Sequence, residues 1–177
     1  MAGAAAAAAV RNVFVYGSLM APEVLAAIIH RVPPQATAVV ANFHRYSIRN
    51  RLYPAVLPLA GGNVTGKVLF DLTHEELKLL DEFEDFEYTR HLVETTVQAR
   101  SAHKLPSVNR LESERDKVTD DLNISIAVPV QAYLYVWADA EDKSLYGDWD
   151  YEICSWIGFA GVAFCLKSRT VLPSLSC

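Results

Sequence analysis

Cysteine is scarce in this 177-residue chain: Cys154, Cys165 and Cys177 are the only three, all close to the C-terminus. An odd count with no C-x-x-C spacing excludes a disulfide framework as the source of stability. Histidine is also thin. His30, His44, His74, His91 and His103 are scattered and show no H-x-x-x-H spacing, so no metal site is expected. An excess of positive charge is missing too, because 16 Lys and Arg stand against 21 Asp and Glu for a net charge of -5. Nothing electrostatic therefore favours nucleic acid as a partner. The one suggestive basic cluster, Arg45, Arg49 and Arg51, reads as a solvated strand or loop face.

Long hydrophobic runs are absent as well. The longest, 153–166, has 14 residues including Gly158 and Gly161, short of the ~20 that cross a bilayer. It reads as a packed or poorly ordered terminal segment, and no membrane association is expected. The opening MAGAAAAAAV has no basic residues ahead of its alanines and is not strongly apolar. A secretory signal needs both, so residues 1–10 are expected to form a disordered leader and the protein to be cytoplasmic.

What is present suffices for a core. About half of the residues are apolar, and the length fits one domain. Alternating Val13 and Val15 predict a strand over 12–16, broken by Gly17-Ser18-Leu19. Pro22 is placed to open a helix with Leu25, Ile28 and Ile29 on one face, and Pro33-Pro34 ends it. Strands are expected over 39–48 and 66–70, with 51–58 and Gly61-Gly62-Asn63 as connections. The clearest helix is 72–83, with Thr73 as N-cap, Glu76 as its capping-box partner, and Leu72 and Leu77 as a hydrophobic staple. β-Branched residues predict strands over 88–98 and 128–137. Between them, 100–123 is polar, without a clean period, and reads as a long surface loop. Residues 139–150 read as a polar connection. The fold class is α+β: a small mixed barrel-like sheet with flanking helices, spanning 11–152 and followed by an atypical tail over 153–177.

Two features carry chemistry. In Tyr16-Gly17-Ser18-Leu19, glycine lets the backbone turn sharply at a strand end. The helix N-terminus beyond it favours an anion, so the pair suggests a carboxylate pocket, although strand–Gly–Ser turns are common. The second feature is Glu84. Within the acidic run Asp81, Glu82, Glu84, Asp85 and Glu87, helical periodicity sets Glu84 between Leu77 and Leu80 on the apolar stripe, with Asp81, Glu82 and Asp85 pointing elsewhere. A carboxylate there is costly to ionise, which is the tuning a proton-shuttling group needs. The plain alternative is that the helix ends near Phe83 and Glu84 turns outward.

The strand with Tyr16-Gly17-Ser18-Leu19, then Tyr53-Pro54-Ala55, Leu80-Asp81-Glu82-Phe83-Glu84 and Tyr88-Thr89-Arg90, resembles in order and spacing the γ-glutamylcyclotransferase-like family. Trp137 and Leu145-Tyr146-Gly147-Asp148-Trp149-Asp150 are similar to its plant branch, named after avirulence-induced genes. The resemblance covers roughly 13–150. It implies a compact α+β barrel-like fold and release of 5-oxoproline from a small γ-glutamyl compound, with no cofactor. Glu84 matches the family's catalytic glutamate. The resemblance implies that backbone amides along Phe14, Val15, Tyr16, Gly17, Ser18 and Leu19 hold the glutamyl end, with Tyr88 and Tyr135 lining the pocket. Tyr53, Pro54 and Ala55 fit a buried turn beside the site as well as a ligand contact. Two stretches depart from the family pattern, the long loop 100–123 and the residues after Tyr151. A non-catalytic module that keeps the pocket without turnover is the second reading. A membrane-tethered interaction protein ranks below both.

Overall fold

The computed structural model describes residues 11–100 and 125–151. Its elements run β1 (Val13–Val15), α1 (Pro22–Ile29), β2 (Gln35–Ile48), β3 (Ala55–Leu69), α2 (His74–Glu84), β4 (Tyr88–Arg100), β5 (Ser125–Trp137) and β6 (Leu145–Tyr146). The strand order is β3-β1-β5-β4-β2-β6, and an additional β2–β3 pairing joins the ends of the first five. The result is a closed five-stranded barrel with β6 appended to β2. Closure leaves few open edges. Only β1 and β5 pair in parallel among the described strands, with Val13 opposite Tyr133 and Phe14 opposite Leu134.

β1 separates two cores because successive side chains on a strand point to opposite faces. Phe14 and Tyr16 point into the barrel with Val40, Val56, Val68, Leu134 and Val136. Val13 and Val15 point outward, against Leu25 of α1 and Leu77 and Leu80 of α2. The short β1 is therefore covered on both faces, which explains its unbroken apolar sequence.

α2 begins as the sequence indicates. Thr73 caps it, its side chain accepting from Glu76 N–H while Glu76 accepts from Thr73 N–H. Leu72 and Leu77 are both buried.

Three expected connections are corrected. Gly61-Gly62-Asn63 is no turn between strands: it lies inside β3, which begins at Ala55, within the expected connection 51–58. Pairing shifts from Ala41–Asn63 to Phe43–Pro58, so Asn42 alone faces 59–62. Asn42 and Gly61 both adopt positive φ, 63° and 78°, and Asn42 Oδ1 accepts from Gly61 N–H at 3.1 Å. This bulge bends the long β2–β3 ribbon round the barrel. The polar stretch 139–150 likewise contains β6, whose Leu145 and Tyr146 pair with Ile48 and Ser47, and a buried Trp149. Arg100, expected to begin a loop over 100–123, is the last residue of β4; the rest of that stretch, the expected leader 1–10 and the expected tail 153–177 lie outside the described residues.

Candidate active site

Parallel β1 and β5 end on the same side of the barrel, and β4 starts there, with Tyr88 opposite Trp137. Tyr16, the turn after β1, Tyr88 and Tyr135 are thus delivered to one rim by strand register alone. α2 adds Glu84 as its last residue, half-buried. The helix runs through Phe83, so Glu84 stays on α2 and does not swing out into solvent.

The charge on Glu84 bears on all three phenols. Burial is the first cause that raises the Tyr16 hydroxyl well above its ordinary pKa, and the Glu84 charge adds to it, with Arg45 opposing. Tyr88 is raised by burial, then by Tyr16 and Glu84. Tyr135 is raised by burial, by its hydrogen bond to Asp81, and again by Glu84. One carboxylate is therefore felt by three phenols on three strands, all of which stay neutral at physiological pH.

Each phenol is fixed by a hydrogen bond. Tyr16 donates to Tyr135 C=O at 2.6 Å, Tyr88 donates to Pro54 C=O at 2.8 Å, and Tyr135 donates to Asp81 Oδ1 at 2.7 Å. Tyr88 also packs edge-on against Trp137, with centroids 5.1 Å apart.

The turn after β1 is a 3₁₀ turn, Ser18–Met20, placed ahead of α1. Its bonds run from Met20 N–H to Gly17 C=O and from Ala21 N–H to Ser18 C=O. The first amides, those of Ser18 and Leu19, lie ahead of this ladder and are not consumed by it. Gly17 is required by contact: a Cβ here would stand 2.9 Å from Pro54 Cδ. Tyr53-Pro54-Ala55 is thus a packing turn beside the site, with Pro54 and Ala55 buried. Side chains of Phe14, Val15 and Leu19 are at most 3% exposed and belong to the two cores, which leaves only their backbone to meet a ligand.

Sequence reasoning missed three participants. Arg45 is half-buried, and its Nη1 donates to Tyr16 C=O at 2.8 Å, while the guanidinium lies 5.0 Å from the centre of the Trp149 ring. Arg51 pairs with Glu87 and with the Tyr53 hydroxyl, beneath which Tyr53 also donates to Glu87 at 2.9 Å. Arg45 is therefore not the solvated charge expected, whereas Arg51 is exposed as expected but paired. Asp81, assigned away from the apolar stripe, does point elsewhere, but toward Tyr135 and Arg90, whose Nη1 donates to both its oxygens. For Arg45 the only available signal is period two, which puts it on the face of β2 shared with Phe43 and Ser47. For Asp81 it is i, i+3 spacing to Glu84.

Among the described residues, no group of three or more His, Cys, Asp and Glu is arranged to hold a metal ion. No helix among them is long and apolar enough to cross a membrane.

Comparison with known proteins agrees with this geometry. The family model described as "Gamma-glutamyl cyclotransferase, AIG2-like" matches residues 13–151. AIG2-like protein D of Arabidopsis thaliana is 41% identical over 141 residues, 80% of this chain and 76% of that protein. Two solution structures of Arabidopsis thaliana proteins superpose with 28% identity. One covers 84% of this chain and 83% of its own with a TM-score of 0.57, the other 84% and 74% with a TM-score of 0.58. The chain belongs to the AIG2-like gamma-glutamyl cyclotransferase family.

Proposed function

We propose that this chain is a γ-glutamylcyclotransferase that releases 5-oxoproline from a free γ-glutamyl amine or peptide. The arrangement that supports the reading is the strand register that brings Tyr16, Tyr88, Tyr135 and the 17–19 turn to one rim, with Glu84 ending α2 and its charge raising all three phenols.

The reaction is an internal acyl transfer. The substrate's α-ammonium gives a proton to Glu84, and the resulting amine attacks the γ-carbonyl carbon. A ring C–N bond forms, the tetrahedral centre collapses, and the original amide C–N bond breaks. Glu84 delivers its proton to the departing nitrogen, so the base of the first step is the acid of the last. The lactam nitrogen loses its surplus proton to solvent. No cofactor enters these steps.

Folding an extended γ-glutamyl chain into a near-attack geometry contributes several kcal/mol, on the order of the lower end of intramolecular effective molarities. The tyrosine wall supports that role, because its phenols are pinned by hydrogen bonds and remain uncharged. The amides of Ser18 and Leu19 supply donors for the substrate α-carboxylate.

The test is to incubate the purified protein with a panel of γ-glutamyl dipeptides, γ-glutamyl amines and glutathione and to quantify 5-oxoproline. Release from one class supports the reading and names the substrate. A folded protein that binds these compounds but releases no 5-oxoproline is instead a binding module on the same fold.

A further inference from the structure

We infer that Arg45, held over the Trp149 ring, is the positioning residue that aims the amides of the 17–19 turn at the substrate's carboxylate. The inference rests on the proposed γ-glutamylcyclotransferase reading and adds to it the device that sets the turn.

The argument begins with the planarity of the peptide bond. In a trans peptide the C=O and the following N–H point in opposite directions, so fixing one fixes the other. Arg45 Nη1 donates to Tyr16 C=O at 2.8 Å, and Gly17 N–H must then point away from the guanidinium. Met20 N–H holds Gly17 C=O at 2.9 Å, and Ala21 N–H holds Ser18 C=O at 3.1 Å. These two bonds set the directions of Ser18 N–H and Leu19 N–H in the same way. Three successive peptide planes are thereby anchored through their carbonyls. Two of the anchors are internal to the turn. The third, at its entrance, comes from Arg45.

Arg45 is itself held on several sides. Nη1 also reaches Thr65 C=O at 3.4 Å, tying β3 to the end of β1. Trp149 covers the guanidinium at 5.0 Å, and its Nε1–H donates to Leu52 C=O at 2.9 Å while its main-chain N–H donates to Arg45 C=O at 3.2 Å. A planar guanidinium suits this place because it can lie on an indole face and still donate in its own plane. A lysine ammonium provides one compact point charge and no such plane. Trp149 thereby gains a role as the cover of Arg45, which explains why a buried tryptophan interrupts an otherwise polar stretch.

A residue that sets carboxylate binding lowers ground-state and transition-state energy together, so its loss appears in KM more than in kcat. The experiment compares Arg45→Met and Arg45→Lys with wild type in steady-state 5-oxoproline release. It includes thermal melting and amide hydrogen exchange at Gly17, Ser18 and Leu19. The expected result is a KM raised at least tenfold in both variants, kcat within about threefold of wild type, and faster exchange confined to those amides. Arg45→Lys serves if Arg45→Met does not fold. Wild-type KM and wild-type amide exchange in a folded variant overturn the inference while the reaction stands. Absence of 5-oxoproline from wild type itself is failure of the functional reading, and the amide exchange then still decides whether Arg45 sets the turn.

Discussion

Tyr16 gives its phenolic proton to the main-chain carbonyl of Tyr135, 2.6 Å away and 119 residues distant in sequence. The bond ties β1 to β5 at the rim where both strands end, directly before the turn that opens the site. The hydroxyl is buried in the barrel core with Val56 of β3, so one side chain meets three strands.

Replacing Tyr16 with Phe leaves the buried Tyr135 carbonyl without its partner. The expected loss is about 1–3 kcal/mol, read from urea unfolding at pH 7. The variant also has a distinct alkaline behaviour. The folded-state pKa of Tyr16 is raised above the unfolded value near 10. Its contribution to stability is therefore complete below about pH 10 and is lost as pH rises beyond it, when the unfolded chain ionises first. Unfolding free energy measured from pH 8 to 11 should fall less steeply in Tyr16→Phe than in wild type. Parallel curves would contradict the assignment.

Asp81 is one helical turn ahead of Glu84 and holds this end of α2 to the sheet through Tyr135 and Arg90. The Arg90 pair is partly exposed and contributes little. The Tyr135 bond matters more, because Tyr135 is only 3% exposed and its hydroxyl loses its acceptor. Asp81→Ala should cost about 1–2 kcal/mol and lower kcat roughly tenfold by shifting Glu84. Tyr135→Phe should reproduce part of this loss, and the double variant should fall short of the sum. Strict additivity would show that Asp81 acts by another route.

At the other end of α2, Glu76 completes the capping box and pairs with Arg31. The Arg31 hydrogen bond is the first cause that holds the Glu76 carboxyl below its ordinary pKa. A depressed carboxyl contributes stability above the unfolded value near 4.3 and loses it as pH falls through the folded value. Glu76→Gln keeps the cap geometry but removes the charge. Its deficit relative to wild type should be about 1 kcal/mol at pH 7 and should shrink as pH falls below the unfolded value and through the lowered folded one. A deficit unchanged between pH 7 and pH 3 would show that the charge plays no part.

Local signals made α2 readable in advance. Thr73 and Glu76 stand three residues apart, and their reciprocal bonds are the ones that spacing dictates. The break after Tyr16 was equally local, since glycine permits a sharp turn at a strand end, whereas the contact with Pro54 that requires Gly17 is made only in the fold. What escaped was non-local. Gly61-Gly62-Asn63 has turn composition, and only its pairing with β2 makes it a bulge inside a strand. Arg45 lies in a strand whose alternation gives two faces without saying which one meets the end of β1. Trp149 sits in a polar stretch, and its burial depends on β2 lying beneath it. Glu84 was placed by periodicity, but its three tyrosine neighbours come from strands that only the barrel brings together.

The central claim is that Glu84 moves the proton between the α-ammonium and the departing nitrogen. The most direct measurement is 5-oxoproline release by wild type and Glu84→Gln under identical conditions, with circular dichroism and ligand binding measured on both. The account predicts steady release by wild type and a loss of at least a thousandfold in the variant, with fold and binding retained. Equal release by the two proteins would contradict it and remove Glu84 from the mechanism.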